Sequence, residues 1–370
     1  MTEPAPLQQV DRTYVRLRGR KLSYFSGCDY FRVASHPLVL RAAQSAIKQI
    51  GLNVAASRMT TGNHAIYGEL ESALAKFFGV ECALVLSAGY LAPSAVAQAL
   101  AGNFSHVLID ERAHAALIDA AKMFECPVLK FRHRDAPDFA RAVGRCGRGS
   151  RPIALTDGMF SSDGSVAPLR VYRDLLPRDA VVLVDDAHGG GVLGKTGRGT
   201  VEHERVAGPR VIQCITLSKA FGSSGGAVLG TRELREQILA KSRIAMGSTP
   251  PPLPMAAAAI AAIGILKRDP RIRDRLEANT RYVKTALARA GYSTPEDAPG
   301  PIVSISFDDP GKTKRLHRNL MAAGIYPPFM KYPGGPADGY FRFAISSEHS
   351  RRQLAELVKV LVKFRKRPVA

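Results

Sequence analysis

Tryptophan is absent from the 370 residues, and cysteine is scarce and scattered. The cysteines at positions 28, 82, 126, 146 and 214 form no CxxC pair and no cluster with histidine at metal-site spacing. An odd, dispersed set argues against a disulfide framework and against a structural zinc site, and it fits a reducing compartment. We therefore expect a cytoplasmic protein that holds no metal.

Long apolar runs are also missing. No stretch approaches the ~20 consecutive apolar residues of a membrane-spanning helix, and the longest apolar window, 255–266, is typical of a buried helix. The N-terminus carries Glu3 and two prolines but no apolar core segment, so we expect no secretory signal and no membrane span.

Acidic residues are few relative to basic ones: 32 Asp and Glu stand against 52 Lys and Arg, a formal net charge of +20. A nucleic-acid binder must be considered at this charge, but the basic residues are dispersed and no RNA- or DNA-binding module is visible. Two interpretations stay open. The charge is a solvated basic surface, or it attracts a polyanionic substrate such as a coenzyme A thioester.

From about residue 80, short apolar runs alternate with amphipathic stretches such as 112–124 and 135–146. This βαβ alternation predicts an α/β fold, a mostly parallel seven-stranded sheet with helices on both faces. The predicted strands are 82–87, 106–110, 128–131, 152–156, 181–185, 211–216 and 227–230.

The pattern changes near residue 250, where prolines at 250, 251, 252 and 254 interrupt any regular element. A long helical stretch follows, and strand-like and helical patterns then alternate to the end. We predict an N-terminal arm (1–50), a large domain (51–264) and a small α+β domain (265–370).

Polar clusters follow three of the predicted strands, where ligands bind in open α/β sheets. Asp185 ends an apolar strand, and His188 follows with a run of glycines, although a helix cap or salt bridge would also explain the carboxylate. Lys219 lies among small residues, where a lysine is either solvated or a Schiff-base nucleophile. Gly89 and Tyr90 open a helical stretch and suit a phosphate group.

Two further side chains have both an ordinary and a functional interpretation. His114 follows a strand and is either a solvated helix-start residue or a ring that stacks on a cofactor. Arg342 lies inside an apolar run and is either an outward-facing, solvated side chain or an inward-facing ligand of a substrate carboxylate.

Taken together and in this order, five motifs resemble the α-oxoamine synthase family of pyridoxal phosphate (PLP) enzymes, of fold type I. The resemblance runs from about residue 11 to 365. The motifs are SRMTTGNH (57–64), MFSSDG (159–164), VDDAHG (184–189), GVLGKTGRG (191–199) and TLSKAFG (216–222).

The resemblance implies PLP as the cofactor and a role for each matching residue. Lys219 would form the Schiff base and then serve as acid and base. Asp185 would keep the pyridine nitrogen protonated, His188 would bond the phenolate oxygen, and His114 would stack on the ring. Residues placed around the phosphate and the phenolate side of the ring are Gly89, Tyr90, Thr216, Ser161 and Thr249, the last from the partner subunit of a homodimer.

The family joins a small amino acid to an acyl-CoA thioester and releases CoA and CO2, leaving an α-amino ketone. Arg342 would bind the amino-acid carboxylate, and Cys28 stands where the family carries an Asn near the substrate. The length favours the 8-amino-7-oxononanoate synthase branch of biotin synthesis, with L-alanine and a pimeloyl-type thioester.

Other functions stay open. Glycine or serine could be joined to a different acyl-CoA, as in 2-amino-3-ketobutyrate CoA ligase or serine palmitoyltransferase. A fold type I aminotransferase is a second alternative. The presence of both Lys219 and Asp185 argues against a non-catalytic subunit.

Overall fold

The computed structural model describes residues 5–293, 298–331 and 335–366. Contacts divide the chain into two compact units. The larger unit comprises residues 36–160 and 166–269, and the smaller comprises the described residues of 1–35, 161–165 and 270–370. The predicted boundaries near residues 50 and 264 stay predictions, and the ends of that arm and small domain, 1–4 and 367–370, lie outside the described residues.

The strands of the described residues are, in chain order, β1 (Gln8–Gln9), β2 (Tyr14–Leu17), β3 (Arg20–Ser23), β4 (Cys82–Leu86), β5 (His106–Asp110), β6 (Val128–Phe131), β7 (Pro152–Asp157), β8 (Val181–Asp185), β9 (Val211–Thr216), β10 (Gly226–Gly230), β11 (Ile302–Ile305), β12 (Phe329–Met330) and β13 (Tyr340–Ala344).

The helices are α1 (Pro37–Ile50), α2 (Ala65–Phe78), α3 (Ala92–Leu100), α4 (Ala115–Lys122), α5 (Ala136–Arg145), α6 (Leu169–Leu175), α7 (Thr200–His203), α8 (Arg232–Lys241), α9 (Arg243–Gly247), α10 (Leu253–Arg268), α11 (Arg271–Arg289), α12 (Pro310–Ala322) and α13 (Arg351–Lys366). Single 3₁₀ turns occupy Val33–Ser35 and Gly89–Leu91.

The sheet of the larger unit has the strand order β4-β10-β9-β8-β7-β5-β6. The neighbouring strands β9, β8, β7, β5 and β6 pair in parallel. By contrast, β10 lies between β9 and β4 and is antiparallel to both. Apolar clusters cover both faces: Val107 packs with one set of helices, and its neighbour Leu108 packs with the other. Strands buried on both faces are nearly continuous apolar runs. The predicted mostly parallel seven-stranded sheet is confirmed.

Side-chain caps fix where several helices of this unit begin. Asp135 accepts from the amide of Asp138 at 2.7 Å before α5, and Thr231 accepts from Leu234 before α8. Such caps satisfy amides that have no partner inside the helix. The cap of α4 is His114, whose ring Nδ1 accepts from the amide of Ala116.

Among its described residues, the smaller unit contains two three-stranded sheets, with orders β1-β2-β3 and β11-β13-β12. β13 is the central strand of the second sheet and is buried along its length. Helices α11, α12 and α13 contribute to the apolar core, as Val283, Leu316 and Leu357 show. Among the residues that the structure describes, no helix combines the length and the apolar composition needed to cross a bilayer.

Candidate active site

Three parallel strands of the larger unit end side by side in polar residues. β7 ends at Asp157, β8 at Asp185 and β9 at Thr216. Asp157 is the register partner of Asp185, which in turn pairs with Cys214. The carboxyl ends of parallel strands are where open α/β sheets bind ligands. The candidate site of this unit therefore begins at these strand ends.

Asp185 is only 6% exposed, because the rest of β8 is apolar and packed on both faces. One carboxylate oxygen accepts from the amide of Ala187 at 3.1 Å, and the other lies 4.0 Å from Nδ1 of His114. Burial raises the pKa of Asp185, while the charge of Lys219, then that of His114, opposes the shift. A buried carboxylate of this kind needs a cationic or protonated partner.

His114 places its imidazole beside Asp185 at the start of α4. Because Nδ1 accepts from the amide of Ala116 at 3.2 Å, the neutral ring carries its proton on Nε2. Burial lowers the pKa of His114; Asp185 acts against this shift and Lys219 adds to it. A neutral imidazole at neutral pH is suited to stacking on an aromatic cofactor.

Lys219 lies in the loop after β9, half-buried between exposed Ser218 and buried Ala220. Its positive charge lowers the pKa of both Asp185 and Asp157 against the larger effect of burial. The same charge adds to the depression of the His114 pKa. The fold thus brings Lys219 into electrostatic reach of the acid and the imidazole that the sequence analysis selected with it.

Gly89 packs so closely against Thr216 that no residue larger than glycine fits at position 89. A Cβ on Gly89 would lie 2.6 Å from the Cβ of Thr216, and a Cβ on Gly226 would lie 2.4 Å from the Cα of Gly89. The hydroxyl of Thr216 is 2.7 Å from that of Ser218. Backbone amides at the start of a helical segment, beside paired hydroxyls, form a cradle that suits a phosphate.

Tyr90 lies next in this cradle and is largely exposed. Its hydroxyl donates to a carboxylate oxygen of Asp119 at 2.6 Å, and its ring lies edge-on to His114 with centroids 5.9 Å apart. Tyr90 therefore connects the phosphate cradle to the imidazole that follows β5.

His188 is buried in the glycine-rich loop after β8. Asp186 shapes this loop, since its carboxylate accepts from the amide and hydroxyl of Thr200 and from the side-chain amide of Gln213. A Cβ on Gly189 would lie 2.1 Å from that carboxylate. Burial raises the pKa of Asp186 to about 6. Asp186 and the glycines thus hold the turn that carries His188.

Thr249 is an exposed residue in the loop after α9. Neighbouring contacts anchor that loop within the larger unit: Ser57 donates to the carbonyl of Met246, and the hydroxyl of Tyr67 donates to the carbonyl of Pro251 at 2.8 Å. Its assignment to a partner subunit's phosphate stays a prediction.

In the smaller unit, Arg342 of β13 gathers the other predicted residues around one guanidinium. Its Nε donates to the carbonyl of Ser161, and its Nη1 lies 3.8 Å from the Sγ of Cys28. The side chain is 5% exposed, and Nη2 is buried without a hydrogen-bond partner among the described residues. Buried Tyr30 lies close enough that the Arg342 charge lowers its pKa against the larger effect of burial. A buried guanidinium with a spare donor suits a carboxylate.

Asp157 is the residue that the sequence analysis missed. It is 4% exposed, and its carboxylate accepts from the backbone amide of His114 at 2.8 Å. The predicted strand stopped at 156, one residue early, so the carboxylate was not recognised as a strand-end group. The signal was present, because Asp157 and Asp185 each close an apolar run.

The comparisons with known proteins identify the family of the chain. Residues 29–361 match the family model described as aminotransferase class I and II. The 8-amino-7-oxononanoate synthase of Trichlorobacter lovleyi is 33% identical over 363 residues, covering 96% of this chain and 93% of the relative. The enzyme of the same name from Symbiobacterium thermophilum is 34% identical over 360 residues, with 96% and 92% covered.

Among solved structures, serine palmitoyltransferase from S. paucimobilis with bound PLP matches with a TM-score of 0.92 at 26% identity, covering 98% of this chain and 93% of that one. The 8-amino-7-oxononanoate synthase of Francisella tularensis matches with a TM-score of 0.79 at 24% identity, covering 92% and 97%, and shows the fold alone.

The residues present fit PLP. The Gly89–Thr216 cradle suits its phosphate, buried Asp185 suits its ring nitrogen, and Lys219 lies in reach of both Asp185 and His114. The predicted cofactor and enzyme class are confirmed by the family and the relatives. The chain belongs to the aminotransferase class I and II family, as a PLP-dependent C-acyltransferase of the α-oxoamine synthase type.

Proposed function

We propose that the enzyme joins L-alanine to a pimeloyl-type acyl-CoA, releasing CoA and CO2 and forming an α-amino ketone, as in biotin synthesis. The observation that carries the proposal is the group formed by Asp185 and His114, whose carboxylate and imidazole lie 4.0 Å apart, with the charge of Lys219 acting on both. The choice of substrates is supported by the name 8-amino-7-oxononanoate synthase, which belongs to relatives that match over 96% of this chain.

When bound, PLP supplies an electron sink for a carbanion at the amino-acid Cα. In this assignment Asp185 keeps a proton on the ring nitrogen, which maintains that sink. His114 would stack on the ring, and His188 would bond its phenolate oxygen. Lys219 would hold the cofactor covalently and would move a proton at the substrate Cα.

The phosphate is assigned to the backbone of Gly89 and Tyr90 and to the hydroxyl of Thr216. The support is the close packing at Gly89, where a Cβ would lie 2.8 Å from the hydroxyl oxygen of Thr216, so that the main chain of Gly89 and this hydroxyl lie together. Ser161 is assigned to the phenolate side of the ring and Thr249 to the phosphate of the partner subunit. Substitution of each residue tests these assignments separately.

Arg342 is assigned to the substrate carboxylate. Its Nη2 donor has no partner among the described residues, and the Sγ of Cys28, 3.8 Å from Nη1, is a weak acceptor, so a carboxylate gains a strong bond at Nη2. Arg342→Lys keeps the charge but loses the paired geometry. We expect the KM for the amino acid to rise at least about tenfold in that variant, with a smaller change in kcat.

The alternative within the same class is glycine or serine with a different acyl-CoA. The structural match to serine palmitoyltransferase favours it.

The deciding experiment is a matrix of alanine, glycine and serine against pimeloyl-CoA, acetyl-CoA and palmitoyl-CoA. Released CoA thiol and the product mass are measured for each pair. Alanine with pimeloyl-CoA should give the highest kcat/KM. A higher value for serine with palmitoyl-CoA overturns the alanine proposal, and conversion of the cofactor to its pyridoxamine form identifies an aminotransferase.

Lys219→Ala is the matched loss-of-function variant in this matrix. Its product formation should fall by at least about 10²-fold, and borohydride should no longer fix PLP to the chain. Lys241→Ala, which removes the exposed lysine that ends α8, should behave as the wild type. Borohydride fixation that survives in Lys219→Ala excludes the assignment of the Schiff-base lysine.

We also infer a homodimer. Leu38, Leu40 and Ile47 on α1 are 43–47% exposed although this helix already buries Val39 and Ala46. Apolar side chains exposed on one helix are typical of an interface between subunits.

A further inference from the structure

A second buried carboxyl lies beside the acid assigned to the pyridine nitrogen. Asp157 closes β7 and Asp185 closes β8, and the two residues are register partners in parallel strands. Asp157 is 4% exposed and Asp185 is 6% exposed. Two neighbouring carboxyls removed from water are costly unless each has a defined partner, so the presence of Asp157 calls for a role.

The partner of Asp157 is the backbone of His114. One carboxyl oxygen accepts from the amide of His114 at 2.8 Å. The ring of the same residue accepts from the amide of Ala116 and so caps α4. The main chain and the ring of His114 are thus held separately, by Asp157 and by the helix start. Losing the first bond frees the segment that places the imidazole beside Asp185.

The charges that face Asp157 come from every neighbouring strand end. Burial first, and then the charge of Asp185, raises the pKa of Asp157 well above its usual range. The bond from His114 and the charge of Lys219 oppose that shift, whereas Asp110 of β5 adds to it. Asp157 thus lies beside a second buried carboxyl, and the negative charge of Asp185 adds to the effect of burial in raising its pKa.

We propose that Asp157 is a positioning residue: its carboxyl fixes the main chain of His114 and so sets the orientation of the imidazole against PLP and Asp185. In this role it acts through its bond with the backbone amide of His114 and not by its own contact with substrate or cofactor. The inference rests on the site assignments of His114 and Asp185, and not on the identity of the substrates. An amide has the shape of the neutral acid and accepts the same bond, so asparagine should replace Asp157 where alanine cannot.

The test compares holoenzymes of the wild type, Asp157→Ala and Asp157→Asn. The fraction of PLP retained on dilution gives its Kd, and the visible circular dichroism per bound PLP reports how the ring is held. We expect Asp157→Ala to weaken PLP binding about tenfold and to reduce the dichroism signal, the size expected for one lost buried hydrogen bond. Asp157→Asn should recover most of both.

The matched control is Asp135→Ala. It removes a carboxylate that accepts from a backbone amide at 2.7 Å at the start of α5, away from the candidate site residues. It should lower the melting temperature without altering the Kd of PLP or the dichroism. If Asp157→Ala does not fold, Asp157→Ser takes its place, since its hydroxyl is too short to reach the same amide.

Unchanged PLP affinity and dichroism in Asp157→Ala or Asp157→Ser would overturn the inference. A defect in Asp157→Asn as large as that in Asp157→Ala would also overturn it, because the hydrogen bond would then not be the operative feature. His114→Ala and Asp185→Ala separate this failure from a wrong site. If neither of them alters the PLP spectrum, the site assignment itself is wrong.

Discussion

His349 shows how burial of one titratable side chain affects the stability of the whole chain. Its Nδ1 accepts from the amide of Ser346 at 3.0 Å, and Nε2 therefore carries the proton and donates to the carbonyl of Tyr24 at 3.1 Å. Burial, with the nearby charge of Arg32, lowers the pKa of His349 to about 3. The folded protein thus holds this imidazole neutral.

The depressed pKa gives a first prediction with a definite sign. Above the unfolded pKa of ~6.5 both states hold His349 neutral and its contribution to stability is fully present. As pH falls from about 6.5 to about 3, only the unfolded chain takes up the proton. The free energy of unfolding should therefore lose about 1.4 kcal/mol per pH unit from this residue.

Urea unfolding at several pH values between about 4 and 7 measures that slope. His349→Gln, which cannot titrate, should be less stable at neutral pH but should show a shallower loss on acidification. His203→Gln, at an exposed position, serves as the control and should retain the wild-type slope. Equal slopes in His349→Gln and the wild type would refute the assignment.

At the scale of single residues, Asp185 and Lys219 were predictable because they follow apolar strands, whereas Asp157 required an exact strand end. Asp157 lies one position beyond the predicted strand 152–156. Arg342 was predicted from its place in an apolar run, and Ser161 and Cys28 were predicted from the family resemblance, but no periodicity connects positions so far apart in the chain. Their contacts around one guanidinium are visible only in three dimensions.

At the scale of elements, the close packing of the start of β10 against the turn after β4 fixes the shape of the phosphate cradle. Gly226 begins β10, and a Cβ there would lie 2.4 Å from the Cα of Gly89 and 2.6 Å from its nitrogen. Both of those atoms belong to the main chain, so the turn itself must move to admit a side chain.

Gly226→Ala is therefore expected to displace the cradle and weaken PLP binding by at least about tenfold, with a loss of about 1–3 kcal/mol in unfolding free energy. The Kd of PLP and urea unfolding measure the two effects. Gly144→Ala in α5, where a Cβ meets nothing within 4 Å, is the control and should keep wild-type PLP binding. Normal PLP affinity in Gly226→Ala would show that this packing does not shape the cradle.

The strands were predictable because strands of a two-faced parallel sheet are short apolar runs between turn residues. All seven predicted runs of this sheet agree with the observed strands to within one residue at either end. The antiparallel direction of β10 was not predictable, since its apolar run resembles that of a parallel strand. Its position between β9 and β4 depends on pairings between residues distant in sequence.

At the scale of the whole molecule, the exposed leucines of α1 predict a dimer. The other side of this helix packs against α10, so Leu40 and Ile47 lie on a face that the larger unit does not cover. Leu40→Glu combined with Ile47→Glu should shift the protein from dimer to monomer at micromolar concentration. It should also weaken PLP binding if Thr249 reaches the partner's phosphate.

Light scattering coupled to size exclusion gives the mass of each species, and the PLP content is measured on the same fractions. Val171→Glu, at an exposed apolar position of α6, is the matched control and should remain dimeric. A wild-type monomer with full PLP content would contradict the inference of shared active sites.

The net charge of +20 predicts that the two substrates respond differently to salt. A CoA thioester carries several phosphate charges, and a basic surface attracts it over distances that salt screens, about 10 Å at 0.1 M. An amino-acid zwitterion has no net charge to steer. Its carboxylate would meet Arg342, which is buried, and buried pairs are screened far less than exposed ones.

Steady-state kinetics between about 20 and 300 mM salt distinguishes the salt response of the acyl-CoA from that of the amino acid, because the screening length changes severalfold over that range. The KM for acyl-CoA should rise with ionic strength, and the KM for the amino acid should change little. Dephospho-CoA thioesters, which lack one phosphate, should show a weaker salt dependence than the parent compound. If the basic surface serves only to keep the protein dissolved, both KM values respond equally to salt. That result would show that the net positive charge has no role in acyl-CoA binding.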